Sequence, residues 1–171
     1  MNNLISSYAV ETPTNVTAVG NRGGANNGGS ATIKWNPVSG VDGYSVQTLL
    51  NGAQVGDLTS VLGDGSNELT ITGLQGGIEY SFKVRSVGST GVSSWSTLVT
   101  ATPITSPSAP AKPTHSNENL TVTVRWNAPN STGGSSITSY LVTEVNSGTS
   151  VSKSPTTFSA IRSEEHTSEL Q

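Results

Sequence analysis

Few side chains in this chain could act as a nucleophile, an acid–base catalyst or a metal ligand. Its 171 residues include two histidines, His115 beside a proline-rich stretch and His166 near the C-terminus, and no cysteine. A thiol nucleophile and a thiolate metal site are therefore excluded, and the two histidines lack metal-ligand spacing. No serine lies in the Gly-x-Ser-x-Gly pattern that presents a nucleophile on a strand-to-helix turn. The sequence predicts a protein that is not an enzyme and has no catalytic residue, cofactor or metal.

Two stretches could still bind a ligand. Asp64, Asn67 and Glu68 place hard oxygen donors close together, as a calcium ion requires. Such a cluster is also ordinary turn chemistry, because Asp and Asn side chains bond their own backbone, and we favour the turn. Trp95, if exposed beside a strand, could stack on a sugar ring or contact a partner. The alternative for Trp95 is packing on a neighbouring module or on cationic side chains. It is the candidate ligand or partner contact.

The composition is typical of short strands joined by turns. Charged residues make up 11% of the chain, and there are 19 glycines and 8 prolines. Typical soluble domains contain about 25% charged residues. The net charge of −3 offers no basic surface, so we expect no nucleic-acid partner. No apolar run reaches the roughly 18 residues of a membrane span, and the N-terminus lacks the pattern of a signal peptide. We expect a monomer.

Alternation of apolar and polar residues marks the strands. Tyr80, Phe82 and Val84 are two apart, with polar or charged residues between them, so a strand would turn all three to one face. A glycine turn at 75–77 separates this strand from an earlier apolar run that Leu74 closes. Asn51-Gly52 predicts a two-residue hairpin turn. Other strand-like runs lie at 14–19, 31–35, 44–48, 68–71 and 97–102. With the strand that the hairpin requires after Gly52, they predict the seven short strands of an immunoglobulin-like β-sandwich.

Residues 12–103 resemble a fibronectin type III repeat. The resemblance rests on the start at 13–17, the strand aromatics, the glycine turn before Tyr80, and Gly91-Val-Ser-Ser-Trp95-Ser before the last strand. Gly76 and Ile78 replace the proline and threonine usual in that corner, which implies a softer corner and not another fold. The resemblance implies an all-β sandwich over 13–104, with a hydrogen bond from Tyr80 to the backbone near Leu74. It also implies a structural core containing Trp35, Tyr44, Leu74, Tyr80 and Phe82.

The same pattern begins again after a proline-rich segment at 103–113. Residues 120–126 nearly copy the Trp35 strand, and 127–140 resemble the approach to the third strand in bacterial members of the family. Trp126 and Tyr140 then become core residues of a partial fibronectin type III domain over 105–161. Repetition of one core signature predicts a tandem array from a bacterial or phage extracellular protein.

The second repeat is expected to be truncated. A second tyrosine corner would fall near position 176, past Gln171, and no alternating apolar run follows Val151. The strands that should pair with those of Trp126 and Tyr140 are then missing, so this half should not form a native sandwich. The last ten residues, 162–171, resemble a translated sequencing adapter and are taken as a non-native tail. Residues 1–12 are either the end of a preceding repeat or a disordered start.

Three function classes remain open. The first is a non-catalytic spacer or accessory module of a secreted or surface multidomain protein, such as a polysaccharide-degrading enzyme. The second is an adhesion or protein-binding module, whose partner would be a polysaccharide or a cell-surface protein. The third is a structural piece of a phage tail, which would place the protein in a virion. In all three the immediate partners are neighbouring domains of the same chain. Fold alone does not choose between them, because function depends on sites built onto a fold.

Overall fold

The computed structural model describes residues 9–23 and 28–163, and these fall into two units that divide between Ser106 and Pro107. The expectation for the first residues lies mostly outside the described range, since it concerns 1–12. The adapter-like tail likewise lies outside it, apart from 162 and 163, which end a strand.

The described residues of the first unit form nine β-strands. In chain order they are β1 Thr14–Asn21, β2 Gly29–Asn36, β3 Gly43–Leu50, β4 Ala53–Gln54, β5 Thr59–Leu62, β6 Glu68–Leu74, β7 Tyr80–Gly88, β8 Gly91–Val92 and β9 Val99–Ala101. One sheet has the order β1-β2-β6. In the other, β7 pairs along one edge of β3, β4 and β5 pair along the opposite edge, and β8 and β9 continue beyond β7. The predicted all-β, immunoglobulin-like sandwich is confirmed.

The core of this unit lies between the two sheets. Every second residue of β2 and of β7 is buried, because alternate side chains of a strand face opposite sides of its sheet. Trp35 is 3% exposed, and its ring lies 5.1 Å from that of Tyr44 on the facing sheet. At the corner, the Gln75 amide donates to the Tyr80 hydroxyl at 3.2 Å. The buried cluster contains Ala31, Ile33, Trp35, Tyr44, Val46, Leu74, Tyr80, Phe82, Val84 and Ala101.

The hairpin between β3 and β4 follows from two residues. Leu50 pairs with Ala53, so Asn51 and Gly52 form the whole loop. Their φ angles are 51° and 81°, the positive values that a type I′ turn needs at both positions and that Asn and Gly accept most readily. The turn predicted from the sequence is present. The segment after it, which the sequence suggested was a loop, instead contains β5, which pairs with β3.

In the second unit, the part of the chain that the structure describes forms five strands in two small sheets. They are β10 Thr114–Glu118, β11 Thr121–Arg125, β12 Tyr140–Thr143, β13 Ser150–Lys153 and β14 Ser159–Ser163. One sheet has the order β10-β11-β14, and the other is the hairpin β12-β13. Three aromatic rings join them: Tyr140 lies 5.6 Å from Trp126 and 5.7 Å from Phe158, between ring centroids. Trp126 is buried, whereas Tyr140 is half-buried.

The prediction that the Trp126 strand has no partner is wrong. Strand β14 pairs with β11 over five residues, from Thr121↔Ser163 to Arg125↔Ser159. The sequence hid this strand because its inward position, Ala160, is small, while Ile161 on the other face is 68% exposed. Apolar alternation is therefore absent although ladder pairing is complete. The Tyr140 strand pairs with β13, and among the described residues of this unit it has no second neighbour.

Leu120 also differs from its predicted place at the start of an inward-facing row. Glu118 pairs with Thr121, so Asn119 and Leu120 form a two-residue turn between β10 and β11. Leu120 has φ 63° and is 61% exposed. A branched side chain in the left-handed region is strained, because Cβ crowds the following carbonyl.

Replacing Leu120 by glycine should therefore stabilise the second unit. The left-handed conformation costs an L-residue about 1–2 kcal/mol, part of which the extra flexibility of unfolded glycine offsets, leaving about 1 kcal/mol. Amide hydrogen exchange across β10 and β11 in the full chain should slow about fivefold. Asn119→Gly is the control and should change exchange little, since Asn tolerates positive φ. Unchanged or faster exchange in Leu120→Gly would contradict the assigned turn.

Candidate functional site

The outward face of β7 carries two cations that lie over one aromatic ring. Lys83 and Arg85 are two apart on β7 and point away from the core. The Lys83 Nζ lies 5.0 Å from the centroid of the Trp95 ring, and the Arg85 Cζ lies 4.5 Å from it. Both distances are within the roughly 6 Å at which a cation is attracted to an indole face. Trp95, the candidate contact residue, is half-buried and is held by the protein's own cations.

Two serine hydroxyls fix the backbone around Trp95. Between β8 and β9 the chain leaves the regular ladder, and Ser93 Oγ accepts from the Ser86 amide while Ser96 Oγ accepts from the Val84 amide, both at 3.0 Å. The backbone amides of Ser93 and Ser96 donate in return to the carbonyls of Ser86 and Val84. Hydroxyls thus replace the carbonyls of a missing ladder segment, and Trp95, which lies between the two serines, is held over β7.

Replacing Ser93 by alanine should destabilise the first unit by about 1–3 kcal/mol, because the Ser86 amide would stay buried without an acceptor. The bond it loses is among buried groups, and Ser93 itself is 8% exposed. Native-state hydrogen exchange of the β7 amides measures the loss. Ser94→Ala is the matched control: Ser94 is exposed and should change stability by less than about 0.5 kcal/mol. Equal effects from both substitutions would show that the hydroxyl at 93 does not support the strand.

Two polar atoms on the outward face of β3 and β7 are buried without a hydrogen-bond partner among the described residues. They are Arg85 Nε and Gln47 Oε1. Both residues face outward on neighbouring strands, since Gln47 pairs with Lys83 and Ser45 pairs with Arg85. The amide of Gln47 is oriented by donating to Gln54 Oε1 at 2.5 Å. Unsatisfied buried polar atoms are uncommon and often bind water or a ligand. The outward face of β3 and β7 is therefore the candidate site, which we call the Trp95 face: Gln47, Lys83, Arg85 and Trp95.

The oxygen-rich segment at 64–68 forms a turn. The Asp64 carboxylate accepts from the Gly40 amide at 3.3 Å, and the Asp64 carbonyl accepts from the Tyr44 hydroxyl at 2.9 Å. Glu68 pairs instead with Lys34 across β2 and β6, at 2.8 Å. Within the described ranges, no group of three or more His, Asp or Glu residues is arranged to hold a metal ion.

An ion pair spans the two sheets of the second unit. Arg162 on β14 contacts the carboxylate of Glu144, directly after β12, and the Ser147 hydroxyl donates to the same carboxylate. The hydrogen bond from Arg162, followed by that from Ser147, holds the pKa of Glu144 below its ordinary value. The carboxylate is solvated, so this pair contributes to orientation more than to stability.

The sequence identified Trp95 as the candidate contact residue, but it did not identify the cations and serine hydroxyls that hold its ring over β7. The outward row containing Lys83 and Arg85 was visible as the polar half of the alternation. Nothing in the local pattern showed that 93 and 96 would replace ladder carbonyls, because that role depends on the strand opposite them.

Comparison with known families agrees with this architecture. The model of the fibronectin type III domain matches residues 11–102, which is more than half of the chain. The chain therefore belongs to the fibronectin type III family. Such domains are generally non-catalytic modules, occur as parts of multidomain proteins or as binding modules, and are common in extracellular or surface proteins. Among the described residues no helix is long and apolar enough to cross a membrane.

Individual relatives cover different parts of the chain. It is 34% identical over 128 residues to the Kelch domain-containing protein SSO1033 of Saccharolobus solfataricus. The match covers 72% of this chain and 17% of the relative's length. It is similar to the chicken CNTN1 FN1–FN3 domains, with a TM-score of 0.47 and 17% identity over 91% of this chain and 55% of that one. A Fn3-like protein from Clostridium thermocellum shows 25% identity and a TM-score of 0.41, over 56% of this chain and 94% of that one.

Proposed function

We propose that this chain is a non-catalytic spacer and accessory module, made of serial fibronectin type III repeats, in a secreted or surface multidomain protein. The supporting observation is one sequence spacing that the two units share. Strand β6 begins 33 residues after Trp35, and β14 begins 33 residues after Trp126. The sheet order is also the same: β2, which contains Trp35, lies between β1 and β6, and β11, which ends just before Trp126, lies between β10 and β14. A chain of repeated structural units forms an extended array, and such an array can serve as a spacer between other domains.

The state of the Trp95 ring supports the same function. A ring that stacks on sugar must offer an open face, whereas Lys83 and Arg85 already lie over this ring. A sugar would have to displace a cation that the ring stabilises by about 0.5–1 kcal/mol. The main role of the Trp95 face is therefore to hold the segment between β8 and β9 against β7.

A binding assay with the full chain tests this function. Affinity electrophoresis in gels containing soluble xylan or carboxymethylcellulose, and pull-down with insoluble cellulose, should show no saturable retention of the wild type. Trp95→Ala should behave identically in the gels while lowering stability. Retention that Trp95→Ala abolishes, with the fold intact by circular dichroism, would replace the spacer by a carbohydrate-binding module.

The second candidate function is an adhesion or protein-binding module that uses the Trp95 face. The unsatisfied Arg85 Nε and Gln47 Oε1 favour it, because a partner amide could accept from the Arg85 Nε–H and donate its own N–H to Gln47 Oε1. Gln47→Ala tests this candidate with little effect on the core. Loss of binding to an intact bacterial cell surface in Gln47→Ala, with retention in the exposed Ser94→Ala, would favour adhesion over spacing.

A further inference from the structure

We infer that Asn51, at the tip of the β3–β4 hairpin, is a site of spontaneous deamidation. The change replaces its side-chain amide by a carboxylate and, in one of its two products, reroutes the main chain and releases β4 from β3. The inference does not depend on the spacer function, because it concerns a covalent change at a turn.

The reaction uses the side-chain amide of Asn51 and the backbone nitrogen of Gly52. The nitrogen attacks Cγ, a new N–Cγ bond forms, and Nδ2 leaves as ammonia with the proton that the nitrogen gives up. One water then opens the cyclic succinimide. Breaking the new bond gives aspartate. Breaking the bond to the Asn51 backbone carbonyl carbon gives isoaspartate, whose main chain runs through Cγ and is one methylene longer.

The reacting groups lie where water and backbone motion reach them. Asn51 and Gly52 are both exposed, and a Cβ added at Gly52 would meet no atom within 4 Å beyond its chain neighbours. Strand β4 has only two residues, both exposed, and lies at the end of its sheet. Short peripheral elements open at a low free-energy cost. Opening lets Asn51 leave its φ of 51° and bring Cγ against the Gly52 nitrogen.

The sequence makes Asn51 the most reactive asparagine that the structure describes. Asparagine is thermolabile, and a following glycine speeds the reaction because no side chain shields the attacking nitrogen. The chain contains two Asn-Gly pairs, at 27–28 and 51–52, and Asn27 lies outside the described residues. Every other described asparagine precedes a residue with a side chain, and Asn36 precedes Pro37, whose nitrogen carries no proton.

Isoaspartate would break the pairing that follows the turn. A two-residue loop joins Leu50 to Ala53 through the tight type I′ geometry, which an extra methylene does not fit. Beyond it, the Gln47 amide donates to Gln54 Oε1 at 2.5 Å, and the Val55 amide donates to a β3 carbonyl at 2.9 Å. Both bonds would be lost, so Gln47 of the Trp95 face would lose its orientation. Aspartate keeps the turn, because Asp-Gly also favours type I′.

Incubation of the full chain at mildly alkaline pH, followed by trypsin digestion and mass spectrometry, tests the site. Cleavage after Arg22, Lys34 and Lys83 places the two Asn-Gly pairs in different fragments. Fragment 35–83 should gain the mass difference between an amide and an acid, located at 51 and earlier than at any other described asparagine. A free peptide of residues 47–56 is the reference, and the folded turn should slow the reaction by no more than about tenfold.

Two variants separate the reaction from its structural effect. Asn51→Gly cannot react and keeps the turn, since Gly-Gly also suits type I′, so it should show no conversion at 51. Asn51→Asp carries the new charge without the extra methylene. In the isoaspartyl form, separated by chromatography, hydrogen exchange of the Val55 amide should be at least about tenfold faster than in Asn51→Asp. An intact Asn51 after the free peptide has reacted completely, or equal Val55 exchange in these two forms, would overturn the proposal.

Discussion

Replacing Trp35 by alanine should lower the free energy of unfolding of the first unit by about 3–5 kcal/mol, the usual cost of removing a large buried aromatic side chain. Trp35 is 3% exposed and contacts the Tyr44 ring across the sandwich. The cavity would open between two hydrogen-bonded sheets, so the walls could collapse only in part. A small domain has a total stability of about 5–15 kcal/mol, so the substitution removes a large share of it.

Native-state hydrogen exchange of the β3 and β7 amides measures this loss in the full chain. Trp95→Ala is the matched control, because the same residue type is removed from a half-buried site on the outer face. Its expected cost is about 1–2 kcal/mol, from two cation–π contacts and partial burial. If Trp35→Ala and Trp95→Ala cost the same, the centre of the core would have to lie elsewhere.

The first sandwich could be predicted from the sequence because its strands show their pairing and burial together. In β2 and β7 most inward residues are apolar and most outward ones are polar, so the alternation gives both the strand and its face. The turn at Asn51 and Gly52 needs a backbone conformation that few other residues accept, so it too was visible.

Strand β14 could not be predicted because ladder pairing leaves no trace in local composition. Its five residues show no apolar alternation, yet all five pair with β11: Ser159, Ala160, Ile161, Arg162 and Ser163. Only counting from the first unit, with the same spacing after each Trp, would have located it. The prediction for Leu120 was wrong for the opposite reason. The apolar alternation extends to Leu120, so the sequence placed it in the strand, whereas it lies in a two-residue turn.

The candidate site was predictable only in part, for a related reason. Trp95 was singled out as an aromatic residue beside the last strand. Its position over Lys83 and Arg85 depends on which face of β7 the chain crosses after β8. That crossing is set by the hydroxyls of Ser93 and Ser96, which accept hydrogen bonds from amides of β7. Nothing in the sequence distinguishes such a serine from any other serine.

The second unit should exchange its amide hydrogens far faster than the first, and equivalent residues make the comparison direct. Val46 and Val142 have the same type and correspond in sequence, as do Tyr44 and Tyr140. Strand β3 is paired on both edges over a buried face, whereas β12 pairs with β13 alone among the described residues. Strands without a covered face and a second neighbour are marginal in water. Protection at 140 and 142 should be at least about a hundredfold lower than at 44 and 46, or about 3 kcal/mol.

Strand β11 provides the internal test of this reasoning. It lies between β10 and β14, so its amides have ladder partners on both sides, but the sheet it belongs to covers an open groove. If missing edge pairing alone limits protection, the β11 amides should approach those of β2. If the uncovered groove limits it, β11 should exchange nearly as fast as β12, because both sheets open together. We expect the second result, since burial of apolar surface supplies most of the stability of a sandwich. Equal protection of β3 and β12 would show instead that the two units are equally stable.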